Sequence, residues 1–312
     1  MKLNLPGFVL TLCLYGTLIC SVYAEDSKPY LYILDVAQDA GYPQAGCYKK
    51  HCMPGWQDSS LRQGAVSLGL IDPETHQKYM FDATPNFPAQ LFALDSEAPN
   101  DQYELAGIFL THAHIGHYAG LMFLGHEVMG ASNVPVHAMP RMAQFLTDNG
   151  PWSQLVDYKN IILNPMQDNQ TESFGRIKIT PFLVPHRDEY SETVGYRIVG
   201  PNKSAVFIPD IDKWSDWQTD LSELVKSVDY ALIDATFFAD GELPGRDMSK
   251  IRHPFVSESM ELLKNLPADE RKKVWFIHMN HTNPLLNPQS TQSQQVRSAG
   301  FNIATQYQRL DL

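Results

Sequence analysis

The sequence is poor in cysteine, in cationic side chains and in long apolar runs, and each shortage excludes a class of protein. Only four cysteines occur in 312 residues, which excludes a small disulfide-dense scaffold. Lys and Arg number 24 against 35 Asp and Glu, leaving a net charge of −11. We expect no nucleic-acid partner, because phosphate binding needs clustered cations. Past the N-terminus, no run approaches the roughly 20 apolar residues that a membrane-spanning helix needs.

The apolar stretch at the N-terminus has the form of a secretory signal. Lys2 supplies a positive charge, residues 8–20 are mostly apolar, and residues 22–24 form a small-residue cleavage site before Glu25. We therefore predict a signal peptide over residues 1–24 and one mature domain over residues 25–312. The mature protein is expected to be periplasmic or secreted, with no membrane association after the signal is removed.

Two cysteines remain after the predicted signal is removed. Cys47 and Cys52 are spaced Cys-x4-Cys. In an exported protein this pair is typical of a small disulfide loop. The pair also fits a structural zinc site, to which His51 and a distant histidine would contribute. Both interpretations stay open from the sequence.

Most of the chemistry lies in residues 111–121, where histidines occupy positions 112, 114 and 117. The apolar residues 108–110 precede them and predict a short buried strand. Neutral imidazole is the commonest side-chain metal ligand near neutral pH. Three histidines within six positions, at the point where a strand gives way to a turn, predict a metal site built from His112, His114 and His117.

Four later apolar runs also end in a metal-binding or acidic side chain. These side chains are His186, Asp210, Asp234 and His278. Strands hold the loops that follow them in place, so sites are commonly built at such sheet edges. We therefore expect these residues to meet the histidine motif. Strand-rich stretches with helices in both halves favour two packed sheets covered by helices over strict βαβ alternation.

The hexapeptide at residues 112–117, His-Ala-His-Ile-Gly-His, resembles the His-x-His-x-Asp-His signature of the metallo-β-lactamase superfamily. The resemblance implies an α+β fold, the four-layer αββα sandwich. Gly116 stands where that signature has an aspartate that ligates a second metal, which puts occupancy of a second site in doubt. Asp212 is the alternative to Asp210, although it is better interpreted as a cap before the next turn. The implied ligands are His112, His114 and His186 for one metal, His117 and His278 for the other, and Asp210 between them.

Further segments resemble pyrroloquinoline quinone biosynthesis protein B and its relatives, and they span nearly all of the mature chain. In such relatives, cysteines near the first loop bind a structural zinc together with a histidine three residues after the last catalytic one. That position here is His281, which would join Cys47, His51 and Cys52. The segments are residues 37–44, 209–214, 233–238, 245–248 and 278–284, with the two cysteines.

These observations predict a metal-dependent hydrolase. A divalent metal lowers the pKa of bound water from about 15.7 toward about 7, so hydroxide becomes available near neutral pH. Asp210 would ligate and position the nucleophile, Asp234 would orient a ligating histidine, and His253 would donate a proton or contact substrate. The expected substrate is a small molecule with a phosphodiester, a cyclic phosphate or a related ester.

One or two zinc ions fit the nitrogen-rich ligand set, and manganese or iron are also compatible with it. Because Gly116 weakens the second site, an iron-dependent oxygenase or oxidoreductase on the same fold is the first alternative. A non-catalytic metal-binding or ligand-binding protein is the second. Self-association as a homodimer is left open.

Overall fold

The structure is a computed structural model that describes residues 28–312. The predicted signal peptide lies outside the described residues, and the domain boundary at residue 25 stays a prediction. The strands of the described chain are β1 Tyr30–Asp35, β2 Ser67–Asp72, β3 Gln77–Phe81, β4 Glu104–Phe109, β5 Val134–Ala138, β6 Ile161–Pro165, β7 Glu172–Phe174, β8 Ile177–Leu183, β9 Val194–Val199, β10 Ser204–Ile208, β11 Tyr230–Asp234, β12 Val274–Ile277, β13 Asn302–Ile303 and β14 Arg309–Asp311.

The helices of the same residues are short, and several begin at a proline or behind a capping side chain. Asp220 caps α6 by accepting hydrogen bonds from two backbone amides, and Ser290 caps α9 by accepting one from the amide of Ser293. The helices are α1 Met53–Gln57, α2 Phe87–Glu97, α3 Ile115–Tyr118, α4 Pro140–Asp148, α5 Trp152–Asp157, α6 Leu221–Lys226, α7 Val256–Leu263, α8 Ala268–Arg271 and α9 Thr291–Ser298, with 3₁₀ turns at Ser59–Leu61, Ala119–Leu124, Trp214–Asp216, Met248–Lys250 and Pro284–Leu286.

The strands form two seven-stranded mixed sheets that are built alike. The first has the order β14-β1-β2-β3-β4-β5-β6, and the second has the order β13-β12-β11-β10-β9-β8-β7. In each sheet an antiparallel part is joined to a part in which the strands run parallel, β3 to β6 in the first and β10 to β13 in the second. Parallel neighbours end at the same edge of a sheet, and this brings the loops after β4 and β12 to the site.

Side-chain alternation along each strand separates the layers. On β4, Phe109 belongs to the core between the sheets, where its ring centroid lies 5.0 Å from that of Phe81. Its neighbours Ile108 and Leu110 point the other way and belong, with Met142 of α4, to a second apolar core. Successive strand residues face opposite sides of a sheet, so a strand covered on both faces is apolar throughout. The result confirms the predicted αββα sandwich.

The strand predictions that bear on the site agree with the structure, and the omissions are at the sheet edges. The predicted strand at residues 108–110 begins earlier, at Glu104, and ends at Phe109. The sequence analysis missed β6, β7, β13 and β14. Among residues 28–312, no helix combines the length and apolar character required to cross a bilayer.

Candidate metal centre

Loops at one edge of the two sheets bring the predicted metal-binding side chains together. The histidine motif follows β4, and His186, Asp210 and His278 follow β8, β10 and β12. All of these side chains are buried except His114, which is partly exposed. Their donor atoms form two groups that share Asp210, and within each group all donor atoms lie within 4.8 Å of one another. Distant parts of the chain thus converge as predicted.

The first group contains His112, His114, His186 and Asp210. His114 Nδ1 lies 2.9 Å from His112 Nε2 and 3.2 Å from His186 Nε2. Asp210 Oδ2 lies 3.4 Å from His112 Nε2 and 3.2 Å from His186 Nε2. Zinc–nitrogen bonds of about 2.0–2.1 Å place tetrahedral donors about 3.3 Å apart. The spacing of these four donors therefore fits a zinc-sized cation.

The second group contains His117 and His278, as predicted, with Asp210 and one residue that was not predicted, Asp39. Asp39 Oδ1 lies 3.0 Å from His117 Nε2 and 3.3 Å from His278 Nε2. Asp210 Oδ2 lies 3.9 Å from His117 Nε2. Two imidazoles and two carboxylates make a donor set that zinc, manganese and iron can all use.

In each donor histidine, the ring nitrogen that faces away from the donor group (the outer nitrogen) contacts an oxygen atom. The nitrogen that faces the group (the inner nitrogen) is left free to ligate. Such contacts fix the tautomer and the ring orientation of metal-binding histidines. His114 is turned the other way, because its Nε2 contacts Glu189 at 3.1 Å and its Nδ1 faces the group. The other contacts, all at Nδ1, are Thr111 for His112 at 3.0 Å, Asp82 for His117 at 2.7 Å, Asp212 for His186 at 3.1 Å and Thr236 for His278 at 2.9 Å.

Asp212 therefore lies behind a donor histidine and belongs to neither donor group. Its interpretation as a cap was wrong, since the 3₁₀ turn begins at Trp214 and its N-cap position is Lys213. The backbone amide of Asp212 donates to Pro185 O at 2.7 Å, which ties this loop to the segment before His186. This tie aims the carboxylate at the imidazole. Its other oxygen pairs with Arg252.

Asp234 and His253 lie beside Asp210. His253 Nδ1 is 2.9 Å from Asp234 Oδ2 and 3.2 Å from Asp210 Oδ1. Burial lowers the pKa of His253, but the two carboxylates outweigh burial and hold this pKa well above its usual range. Asp234 reaches the donor His278 only through Thr236, whose hydroxyl donates to Asp234 Oδ1 at 2.7 Å. The catalytic roles of these residues stay predictions.

The two carboxylate oxygens of Asp210 have different surroundings. Its Oδ1 is buried and faces His253 Nδ1 at 3.2 Å, an ion-pair contact, and forms no hydrogen bond with the residues that the structure describes. Burial raises the pKa of Asp210, yet His186 and His253 hold it well below its usual range, so the carboxylate is ionised. The oxygen where the two donor groups meet is Oδ2, which lies 3.2 Å from His186 Nε2 and 3.9 Å from His117 Nε2. An ionised carboxylate oxygen at this position fits a cation ligand that both groups share.

A cavity of about 460 Å³ opens on this centre at His186 and His253. One wall is apolar, formed by Phe237, Leu243 and Ile251. Cationic side chains also line the cavity, in a protein whose net charge is −11. Such a cavity attracts anions, because clustered cations next to low-dielectric walls strengthen the local field. The cationic side chains are Arg187, Arg246, Lys250 and Arg252.

Cys47 and Cys52 form a disulfide, so the structure contains the first of the two alternatives that the sequence left open. The two histidines of the zinc alternative are nevertheless close by. His51 Nε2 lies 3.4 Å from Cys47 Sγ, and the rings of His51 and His281 are 5.6 Å apart. A metal binds the thiolate, so these four side chains would offer a zinc site only after the disulfide is reduced.

The sequence analysis missed Asp39 and Asp82 as parts of this centre. Asp82 directly follows β3, which runs parallel to β4, so the rule that selected the other strand-end residues could have selected it. Asp39 has no such signal, because it lies four residues beyond the end of β1 in an irregular loop.

The order of the donor residues along the chain and the paired mixed sheets define a family. The beta-lactamase superfamily domain matches residues 77–279 of this chain. The chain therefore belongs to the metallo-β-lactamase superfamily. The matched range contains all the histidines of both donor groups, and Asp39 lies outside it.

Within that superfamily the chain is similar to the coenzyme PQQ synthesis protein B of Xanthomonas oryzae pv. oryzae, with 23% identity covering 88% of this chain and 97% of the relative. Zinc-bound PqqB from Methylobacterium extorquens shares the fold, with a TM-score of 0.76 and 21% identity, over 91% of this chain and all of that one. A diphosphatase of the PhnP family aligns with a TM-score of 0.63 and 20% identity, over 91% of this chain and 97% of that one. The chain is thus a PqqB-like member of the superfamily.

Proposed function

We propose that this protein is a metal-dependent hydrolase of phosphodiesters or related phosphate esters. The observation that carries the proposal is the buried carboxylate of Asp210, which both donor groups share and whose Oδ2 lies 3.4 Å from His112 Nε2 and 3.9 Å from His117 Nε2. A cation pair held about a shared carboxylate supplies Lewis acidity and a water nucleophile at neutral pH. PqqB of Methylobacterium extorquens, described as zinc-bound, supports a metal in this fold.

The cavity beside the centre supports an anionic substrate. Arg246 makes no side-chain ion pair or hydrogen bond with the residues that the structure describes, and Lys250 has only one exposed partner, Asp247, at 3.4 Å. Both side chains are thus available to a phosphate group. The apolar wall would accept the organic part of an ester. The diphosphatase among the structural neighbours has a name that fits this substrate class.

His253 is the best-placed proton donor. It lines the cavity, and Asp210 and Asp234 hold its Nδ1. Its Nε2 forms no hydrogen bond within residues 28–312, and the raised pKa keeps the ring protonated near neutral pH. A protonated imidazole at this position can donate to the oxygen of a departing alcohol, which is the usual contribution of a general acid.

The test is hydrolysis of bis(p-nitrophenyl) phosphate by purified protein of known metal content. Wild type should turn over this diester, and His114→Ala should lose at least about 100-fold, because the donor to one cation is removed. His126→Ala, a substitution of an exposed histidine, is the control. Wild type that holds metal and hydrolyses no phosphate ester would contradict the proposal, whereas the fold would stand.

The cavity is tested separately with Arg246→Ala. We expect this variant to weaken the diester reaction, mainly through KM, by about tenfold, and to leave hydrolysis of the neutral ester p-nitrophenyl acetate unchanged. An equal loss of activity with both esters would mean that Arg246 supports the structure of the protein and does not recognise the negative charge of the substrate.

A second candidate follows from relatives that align over nearly their full length, the coenzyme PQQ synthesis proteins B. The chain would then act in the synthesis of that cofactor, and the chemistry would be oxidative if iron is the metal. Elemental analysis discriminates between the candidates. Iron with oxygen uptake supports the oxidative candidate, and zinc with ester turnover supports hydrolysis.

A further inference from the structure

The loop after β1 places a carboxylate where the histidine motif lacks one. Asp39 Oδ1 lies 3.0 Å from His117 Nε2 and 3.3 Å from His278 Nε2, and no closer acidic partner of either nitrogen occurs among the described residues. These are the inner nitrogens, because the outer ones are held by Asp82 and Thr236. Asp39 therefore faces the same space as the two imidazole lone pairs.

The loop that carries Asp39 is fixed by backbone hydrogen bonds to the segment next to His278. The amide of Gln38 donates to Met279 O at 2.8 Å, and the amide of Met279 donates to Val36 O at 2.9 Å. On the other side, the amide of Ala37 donates to Gly64 O at 3.0 Å. Asp39 is thus held on a rigid support beside a donor histidine, as a metal ligand needs to be.

Gly116 explains how Asp39 fits. A Cβ atom at residue 116 would lie 2.4 Å from Asp39 Cα and 2.5 Å from Asp39 Cβ. Neither distance is compatible with two carbon atoms that are not bonded, and the nearest atom is backbone, which cannot rotate away. Gly116 lies in α3 and its φ is not in the left-handed region. The backbone conformation does not require glycine here, and the nearness of Asp39 does.

We propose that Asp39 is the carboxylate ligand of the second cation, and that Gly116 provides the space for it. The complete set is then His117 and His278 with Asp39 and Asp210, so the second position has four donors from this chain. The acidic ligand of the second cation is therefore supplied by the loop after β1 and not by residue 116 of the histidine motif. This inference rests on the metal centre of the proposed hydrolase, and it concerns how many cations bind and not which ester is cleaved.

Metal stoichiometry tests the assignment. Purified protein, stripped with a chelator, is titrated with zinc or manganese while binding is followed by calorimetry and elemental analysis. Wild type should bind two cations at the centre. Asp39→Asn should keep the first and bind the second at least about tenfold more weakly, since the loss of even an indirect contact to a metal costs that much. Asp101→Asn, at an exposed position, is the matched control.

A change of donor type separates ligation from general disruption. Gly116→Asp should fail to fold normally or lose the second cation, because the new side chain collides with the backbone of Asp39. Asp39→Cys replaces the carboxylate with a thiolate, which prefers zinc to manganese, so this variant should still bind a second zinc but should bind the second manganese at least about tenfold more weakly.

Three results would overturn the assignment. They are a wild type that takes up only one cation, an Asp39→Asn variant that binds two with unchanged affinity, and an Asp39→Cys variant that binds the second manganese with unchanged affinity. Hydrolysis of the phosphate ester is measured separately from cation binding. A wild type that binds two cations through Asp39 and cleaves no phosphate ester would refute the proposed hydrolysis and leave the ligand assignment intact.

Discussion

His137 should make the fold sensitive to acid, although it lies outside the metal centre. It is buried on β5, with its ring stacked 4.6 Å from that of Phe109 and edge-on to Phe174 at 5.0 Å. Its Nδ1 has no hydrogen-bond partner within the described part of the chain. Burial lowers the pKa of His137 from the ordinary 6.5 to about 4.

The sign follows from proton binding. Between about pH 4 and pH 6.5 the unfolded chain carries more protons at this residue than the folded one, so acidification favours unfolding. Above pH 6.5 this residue does not lower the free energy of unfolding, and at pH 4 the loss that it causes is nearly complete. At 1.36 kcal/mol for each pKa unit, the fall from 6.5 to about 4 corresponds to a loss of about 3 kcal/mol.

The assay compares wild type with His137→Phe, in which a ring of similar shape cannot titrate. Urea unfolding at pH 7.5, 6, 5 and 4 gives the free energy of unfolding of each. The variant should gain about 3 kcal/mol relative to wild type between pH 7.5 and pH 4, whatever constant offset the altered packing adds. His126→Gln, at an exposed histidine, controls for the loss of one imidazole. A difference between variant and wild type that stays constant across this range would refute the reasoning.

Two further substitutions test the packing. Lys78 is fully buried, and its amine donates to a carboxylate, an amide oxygen and a backbone carbonyl. Lys78→Met should therefore cost about 3 kcal/mol in urea unfolding, whereas Lys226→Met, at an exposed ion pair, should leave the transition in place. A Cβ at residue 120 would lie 2.1 Å from a backbone oxygen, so Gly120→Ala should lower the melting temperature by more than 5 °C, and Gly150→Ala, which meets no atom within 4 Å, should not. Equal transitions for each pair would contradict these expectations.

The sequence predicted the centre where the signal was local. An apolar run that stops at a histidine or an aspartate marks the end of a strand, and the chain has to leave the sheet there. His186, Asp210 and His278 were found in this way. The resemblance of the histidine motif assigned them to two groups, and the structure brings those groups together.

The remaining parts depend on contacts between distant segments. Asp39 belongs to the centre only because its loop pairs with the segment after β12, and nothing near residue 39 indicates that pairing. The orientation of the Asp212 carboxylate depends on the hydrogen bond that the backbone amide of Asp212 donates to Pro185 O. Edge strands are short and partly polar, so β7 and β14 lacked a pattern, and β14 joins β1 from the other end of the chain.

The sharing of Asp210 by both donor groups has a consequence for the order of assembly. His112, His114 and His117 follow a strand of one sheet, whereas Asp210 and His278 follow strands of the other. No segment of the unfolded polypeptide can therefore present either full set of donors, and metal capture has to come after the halves have docked. A cation bound there would link the two sheets, so its removal should weaken the contact between the sheets before it affects either sheet alone.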